Sequence, residues 1–162
     1  MKGRIILAMF CLLSGLASAS ACQCIDIGGF SGGARKTEKE IRAERLKKAK
    51  VVVRGLVVSA KAGEDIQWPV GTKFDANGNV AAATNVGALA VLAEIRVVET
   101  RKGSVESLIK IYSGFGIGDC GIGPAFVMAV SMKRPLTLGL EPIASAPNSY
   151  TIDMCSYIDT EK

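Results

Sequence analysis

The chain of 162 residues contains no histidine. Imidazole is the usual general base beside a serine or cysteine nucleophile, so the Ser–His and Cys–His pairs of many hydrolases are excluded. Carboxylates such as Glu94, Asp119 and Asp153 are present, but nothing in the sequence pairs any two of them in one pocket. We therefore expect a protein that is not an enzyme and that needs no cofactor.

Aromatic residues are also scarce, at 6% of the chain, and the formal net charge of +5 is modest. Proteins that bind single-stranded nucleic acid combine a basic groove with aromatic side chains on which the bases stack. A mild positive charge does not imply nucleic acid by itself. We therefore expect no nucleic-acid partner.

Long apolar stretches are absent except at the N-terminus. Lys2 and Arg4 begin the chain, residues 5–16 form an apolar run, and residues 19–21 (Ala-Ser-Ala) supply an A-x-A site. This order is typical of a secretory signal peptide. The run is shorter than the ~20 residues of a membrane-spanning helix. We predict a signal peptide over residues 1–21, a secreted or periplasmic protein, and no membrane span. An uncleaved N-terminal anchor is the alternative.

Removal of the signal peptide leaves residues 22–162, enough for one ordinary domain with a core of its own. The removed segment carries only two charges, both positive, so the formal net charge falls from +5 to +3. We expect this domain to be a monomer.

The cysteine count becomes even after cleavage, because Cys11 leaves with the signal peptide. Cys22, Cys24, Cys120 and Cys155 remain, and two disulfides are the default in an oxidising compartment. Cys22 and Cys24 flank a single residue, so in an extended segment both side chains point to the same face and not at each other. The other two pairings stay open. Zinc ligation by the four cysteines is the alternative, which export and the lack of histidine disfavour.

The rest of the sequence predicts one helix and five strands. A glycine-rich loop over residues 25–35 precedes the helix, which is expected over residues 37–48 because Thr37 and Glu40 form a capping box. Segments that are β-branched, or alternate between apolar and polar side chains, predict the strands. The strands are expected over residues 51–59, 89–100, 108–112, 125–132 and 150–156.

A long excursion over residues 61–87 separates the first two strands and contains the only tryptophan, Trp68. Loops of this length inside a compact domain are usually functional or disordered. Five strands with irregular connections and one N-terminal helix favour a mainly β fold, a five-stranded OB-like barrel stapled by disulfides. A β-sandwich is the alternative.

Residues 116–121 (Gly-Ile-Gly-Asp-Cys-Gly) match the pattern G-x-G-x-x-G. Dinucleotide binding requires a strand before this pattern and a helix after it. Residues 126–130 are predicted to be a strand, and Cys120 is expected to form a disulfide within the motif. We therefore interpret the motif as a glycine-rich loop around a bridged cysteine.

Several segments in order resemble the N-terminal, netrin-like domain of the tissue inhibitors of metalloproteinases, including their bacterial single-domain relatives. The segments are Cys22-Gln23-Cys24 after the predicted cleavage site, residues 49–55, residues 94–103 ending in Lys-Gly, Asp119-Cys120-Gly121, residues 126–130, and residues 154–157 (Met-Cys-Ser-Tyr). The resemblance covers nearly the full mature chain. It implies an OB-like barrel with the bridges Cys22–Cys120 and Cys24–Cys155.

The resemblance also implies a function, the inhibition of zinc metalloendopeptidases. The α-amine and carbonyl oxygen of Cys22 would chelate the catalytic zinc of the protease, the only metal expected. Gln23 would enter the specificity pocket of the protease, although the family usually has a small or hydroxyl residue there. The residues expected to complete the contact surface are Cys24, Ile25, Gly118 and Asp119.

Three departures from the family leave a second hypothesis open. The third bridge and the C-terminal domain of the animal inhibitors are missing, and the excursion is longer than the family's variable hairpin. The alternative is an exported netrin-like binding or structural module that inhibits no protease. It includes a lipoprotein acylated at Cys22, although Ala19 stands where lipoprotein signals usually carry leucine.

Overall fold

The computed structural model describes residues 36–69, 90–115 and 121–160 of the chain. These ranges contain two helices and six strands, and neither helix is long and apolar enough to cross a membrane. In chain order the elements are α1 (Glu38–Lys48), β1 (Val51–Gly63), β2 (Ala90–Lys102), β3 (Leu108–Gly114), α2 (Gly123–Met132), β4 (Leu136–Pro142), β5 (Ser149–Thr151) and β6 (Ile158–Thr160).

Five of the strands close into a barrel. They follow the order β1-β2-β3-β5-β4, and β4 pairs back onto β1. The pairing of β3 with β5 is parallel, and the other pairings in the barrel are antiparallel. The short strand β6 adds to β4. This closed architecture confirms the predicted mainly β, five-stranded OB-like barrel.

Strand β1 makes the closure possible because it pairs on both sides. Its segment from Val52 to Gly55 is hydrogen-bonded to β2 and also to β4. The register with β2 shifts at three places along β1, one of them between Arg54 and Gly55. Such irregularities bend a strand and increase its twist, so that a sheet can curl until its two edges meet.

The interior of the barrel is apolar. Alternate side chains of β1, β2 and β3 are buried, as expected for strands that place one face in a core. Helix α2 adds Phe126 and Ala129 to the same core. The most deeply buried strand residues include Val53, Val91, Ala93, Ile95, Ile109, Ile111, Leu138 and Leu140.

Strand β4 is covered on both faces, and its first five residues are all buried. Ala49 and Tyr157 lie over its outer side. A Cβ atom placed on Gly139 would come within 2.9 Å of the Cβ atoms of both residues. The glycine therefore allows the segments before β1 and after β5 to pack directly on the strand.

Helix α1 is confirmed, with Thr37 as its N-cap. The Thr37 hydroxyl accepts the backbone N–H of Glu40, and the Glu40 carboxylate accepts the Thr37 N–H at 2.7 Å. The carboxylate accepts bonds from both the Thr37 N–H and the Thr37 hydroxyl, and these lower the pKa of Glu40 because they favour its charged form. At the other end of the helix, the Lys102 ammonium donates to the carbonyl oxygens of Lys47 and Ala49, which are otherwise unpaired helix-terminal acceptors.

An ion pair fastens α1 to β6. The Arg42 guanidinium lies 2.6 Å from the Asp159 carboxylate, and the Arg42 carbon stands 5.9 Å from the centre of the Tyr157 ring. Hydrogen bonding to Asp159, together with its charge, raises the pKa of Arg42. Arg42 therefore connects α1 to β6 through its ion pair with Asp159, and it also makes a cation–π contact with the Tyr157 ring.

The predicted strand over residues 125–132 is wrong, because these residues belong to helix α2. Pro124 lies in the first turn, where its missing N–H costs no hydrogen bond. Gly123, Phe126 and Ala129 are the buried residues of the helix, at a spacing of three that suits a helical face. A short apolar run has no periodicity that separates a buried strand from a helix.

The predicted strand over residues 150–156 is correct only up to Thr151, where β5 ends. A turn replaces the remainder. Strands β4 and β6 are not predicted from the sequence. β4 contains Gly139 and ends in Pro142, both of which argue against a strand, and β6 has three residues. The first three predicted strands correspond to β1, β2 and β3.

Strand β2 lies so close to Gly55 that any side chain at position 55 should destabilise the fold. A Cβ atom on Gly55 would come within 2.5 Å of Ile95 Cγ2 and 2.9 Å of the Arg96 carbonyl oxygen. We expect Gly55→Ala to lower the free energy of unfolding by about 1–3 kcal/mol, as overpacking does. Unfolding in urea, followed by circular dichroism, measures this loss.

The matched control is Gly63→Ala near the end of the same strand. There a Cβ atom would meet Asp65 alone, mainly the end of its mobile side chain. We expect a change within about 0.5 kcal/mol. An equal loss in both variants would contradict the role given to the contact between Gly55 and β2.

Candidate functional site

The residues predicted to contact a protease lie outside the described residues. These are Cys22, Gln23, Cys24, Ile25, Gly118 and Asp119. Cys120, the predicted partner of Cys22, also lies outside them, as do the predicted signal peptide and residues 70–87 of the excursion. Their roles and the signal peptide therefore stay predictions.

The described residues do include the chain on either side of the predicted site. Strand β3 ends at Gly114, and the description resumes at Gly121, the residue after Cys120. Cys155 lies in the turn that follows β5. The Ser113 side chain connects the two places.

Ser113 is fully buried on β3 and makes two hydrogen bonds. Its hydroxyl donates to the Ile152 carbonyl oxygen at 3.0 Å and accepts the backbone N–H of Ile122 at 2.9 Å. A hydroxyl can do both at once, so it satisfies two backbone groups that a neighbouring apolar side chain would leave unpaired. We call this contact the Ser113 junction. It ties the entry to α2, beside Cys120, to the entry to the turn that bears Cys155.

The turn at Cys155 is held by its own side chains. The Asp153 carboxylate accepts the Cys155 N–H at 2.8 Å and the Ser156 hydroxyl at 3.0 Å, and the Ser156 hydroxyl accepts the Asp153 N–H at 3.1 Å. These bonds stop β5 from continuing. The other cysteines lie outside the described residues, so both predicted pairings stay predictions.

The Ser113 junction bears on whether the two cysteines of one C-x-C segment can both form disulfides at this end of the barrel. Two bridges from one such segment require their two partner cysteines to lie within about 20 Å of each other, given the reach of a disulfide and of two peptide units. Cys120 is two residues from Ile122, and Cys155 is three residues from Ile152. The junction is therefore compatible with both cysteines of the segment, Cys22 and Cys24, bonding at this end of the barrel.

The glycine-rich motif over residues 116–121 has a helix after it, so the expectation of a following strand is wrong. The motif still lacks the βαβ context of a dinucleotide site, because the next described strand, β4, does not pair with β3. Gly121 has a packing role instead. A Cβ atom on Gly121 would overlap the backbone of Gly114.

The start of the excursion folds back onto the barrel. The Trp68 ring lies 5.8 Å from the Tyr112 ring, centre to centre, with the planes inclined at 38°. Tyr112 is half-buried on the outer side of β3, and burial raises the pKa of its hydroxyl. The excursion is therefore anchored beside the Ser113 junction, one residue along the same strand.

Among residues 36–69, 90–115 and 121–160, no group of three or more acidic or cysteine side chains is placed to hold a metal ion. The zinc that the inhibitor hypothesis invokes is bound by the target protease. The hypothesis therefore requires no metal site in this chain.

No protein-family model matches this chain, and no characterised protein matches its sequence. The resemblance to the netrin-like domain therefore rests on the residues quoted for it above. An OB-like barrel alone does not decide a function, since one fold supports many.

Sequence reasoning missed Ser113, although a signal for it exists. Ile109, Ile111 and Ser113 occupy alternate positions of one strand, so the hydroxyl must point the same way as two core isoleucines. A lone hydroxyl at a core position needs partners. Which partners it finds depends on the loops after β3 and β5, which the alternation does not describe.

The Ser113 junction predicts a specific loss in Ser113→Ala. The substitution leaves the Ile122 N–H and Ile152 carbonyl without their partner, and each unsatisfied group costs about 1–3 kcal/mol. We expect a lower free energy of unfolding in urea and faster hydrogen exchange at the Ile122 amide. Ser149→Ala is the control, because that buried hydroxyl makes one long bond, to the Pro147 carbonyl at 3.3 Å. Unchanged exchange at Ile122 would contradict the junction.

The contact between Trp68 and Tyr112 predicts a fluorescence titration. Neutral tyrosine is favoured in the folded state, so Tyr112 should ionise above the usual pKa of about 10. Its stabilising contribution is present below that value and is lost as the pH rises through the raised pKa. Tyrosinate absorbs at wavelengths at which tryptophan emits. Trp68 emission should therefore fall only over the pH range in which Tyr112 ionises.

Tyr112→Phe should abolish this fall in emission, provided the protein remains folded. Tyr150→Phe is the matched control, because burial also raises the pKa of Tyr150 but Trp68 contacts Tyr112. If the two variants titrate alike, the excursion is not anchored at Tyr112.

Proposed function

We propose that this protein is exported and inhibits zinc metalloendopeptidases through its mature N-terminus. In this proposal the α-amine and the carbonyl oxygen of Cys22 bind the catalytic zinc of the protease. The observation that supports it best is the Ser113 junction. It holds the chain beside Cys120 and the turn of Cys155 at one end of the barrel, where two bridges to a C-x-C terminus would need them.

The chemistry of the terminus suits this role. A catalytic zinc keeps one coordination position open for water or substrate. An amine and a carbonyl oxygen of the same residue could chelate the zinc together, with the water displaced and the metal expanded to five ligands. The amine must be neutral to bind, and a free α-amine has a pKa of about 7.7–8.0, so losing its proton costs little near neutral pH. Inhibition should therefore weaken as the pH falls below this range.

Rigidity would supply much of the affinity. A flexible terminus loses conformational entropy when it binds, and prior constraint reduces that cost. The predicted bridges Cys22–Cys120 and Cys24–Cys155 would fix the terminus at two points two residues apart. The described side of this arrangement is already well braced, because the Cys155 turn carries three internal hydrogen bonds.

The neighbouring residues would then set the target. Gln23 follows the chelating residue and would enter the specificity pocket of the protease, where its length and polarity favour a roomy pocket with hydrogen-bonding groups. Ile25 would extend the contact along the N-terminal segment. Gly118 and Asp119 would add the second edge of the wedge beside Cys120.

The decisive experiment adds one alanine before Cys22. The mature N-terminus is first determined by mass spectrometry, and the protein is titrated against a panel of zinc endopeptidases. The added alanine moves the free amine away from the Cys22 carbonyl, so inhibition should be lost. Removal of that alanine with an aminopeptidase should restore it, while thermal unfolding stays unchanged throughout.

Three results would contradict the proposal. A mature chain that begins upstream of Cys22 has no amine at the chelating residue. An acylated Cys22 has a blocked amine and identifies a lipoprotein. Undiminished inhibition by the extended protein would show that it acts through another surface.

A further inference from the structure

Helix α2 has an exposed apolar surface. Its ten residues contain no charged side chain, and it buries only Gly123, Phe126 and Ala129. Met128 and Met132, one helical turn apart, are 61% and 58% exposed, and Val127 is exposed beside them. A helix that is apolar on all sides is normally buried on all sides. This one leaves its outer surface uncovered by the described part of the chain.

Two cations stand at the end of this surface. Lys133 and Arg134 directly follow Met132, and both are exposed. Neither forms an ion pair with the residues that the structure describes. No aspartate or glutamate occurs in the sequence between Asp119 and Glu141. The segment therefore combines apolar side chains with uncompensated positive charge.

We propose that α2 docks on an anionic lipid surface. Val127, Met128 and Met132 would enter the boundary between headgroups and acyl chains, while Lys133 and Arg134 would bind the headgroup phosphates. Helices that lie in a membrane interface place apolar side chains at the acyl boundary and lysine or arginine at the headgroups. Here Lys133 and Arg134, which directly follow α2, supply the cations. The α2 surface, named by these five residues, is the proposed docking surface.

A second copy of the chain fits this surface less well. A two-fold interface brings the same patch of both copies together, and this patch has no aspartate or glutamate to pair with the cations of the other copy. A dimer would therefore leave Lys133 and Arg134 without opposite charge. An anionic membrane offers the opposite charge together with an apolar layer. The inference is independent of zinc binding, since it uses no residue of the predicted N-terminal wedge.

The test is sedimentation with lipid vesicles. The mature protein should co-sediment with vesicles of phosphatidylglycerol and phosphatidylcholine, and binding should weaken as salt rises. Lys133→Gln with Arg134→Gln should reduce the partition coefficient about fivefold for each cation removed, which corresponds to about 1 kcal/mol per basic residue near an anionic surface. Met128→Ser with Met132→Ser should also reduce it.

The matched control is Val98→Ser with Leu108→Ser. These side chains are also exposed, at 54% and 49%, but lie on β2 and β3 and have no part in the docking surface. The control should bind vesicles as the unaltered protein does. All variants replace exposed side chains, and circular dichroism verifies that each is folded.

Five outcomes would overturn the inference. The protein could fail to bind, bind phosphatidylcholine vesicles equally well, or bind as well after loss of both cations. Sedimentation velocity could instead show a dimer that the methionine substitutions dissociate, which would assign the surface to a second copy. Slow oxidation of Met128 and Met132 by peroxide without vesicles would show that the chain itself covers them.

Discussion

The two-sided pairing of Val52–Gly55 is the constraint on which the barrel depends. This segment is hydrogen-bonded to β2 and to β4, so it is where the sheet joins its own other edge. Closure leaves no long unpaired edge among the five strands. It also directs alternate side chains of each strand into one shared interior. The irregular register of β1 and the missing side chain at Gly55 are local features, yet both serve this closure because a straight, fully substituted strand would not curve enough.

Closure also determines where functional chemistry can lie. With the interior filled by aliphatic side chains, only the loops at the ends of the barrel and the outer faces remain available. The Ser113 junction uses one core position to fix two of those loops together, since its hydroxyl serves the entry to α2 and the carbonyl of Ile152. A rigid end of this kind suits recognition by shape, where a terminal segment is presented in one conformation to a partner.

The sequence predicts the elements that local patterns determine better than the contacts between distant segments. Capping at Thr37 and alternation in β2 and β3 are local patterns, and they identify α1 and two strands because neighbouring residues decide them. The strand predicted over residues 125–132 fails because an apolar run has no period to distinguish it from a helix. Gly139 argues against β4 in the sequence, although it is there because Ala49 and Tyr157 pack on it, a contact between distant segments. The partners of Ser113 are likewise set by tertiary structure.

The pairing of Val51 with Leu140 has a consequence for how the protein is made. The contact joins residues that are 89 positions apart in the sequence, so a long loop must close before it can form. Folds that depend on such distant pairings fold slowly compared with those built from local contacts. While the chain is being synthesised, β1 has one open edge until β4 emerges, and an open strand edge is a template for association with other chains. The barrel therefore completes its folding only after nearly all of the domain is present, and the chain is most vulnerable to aggregation just before that point.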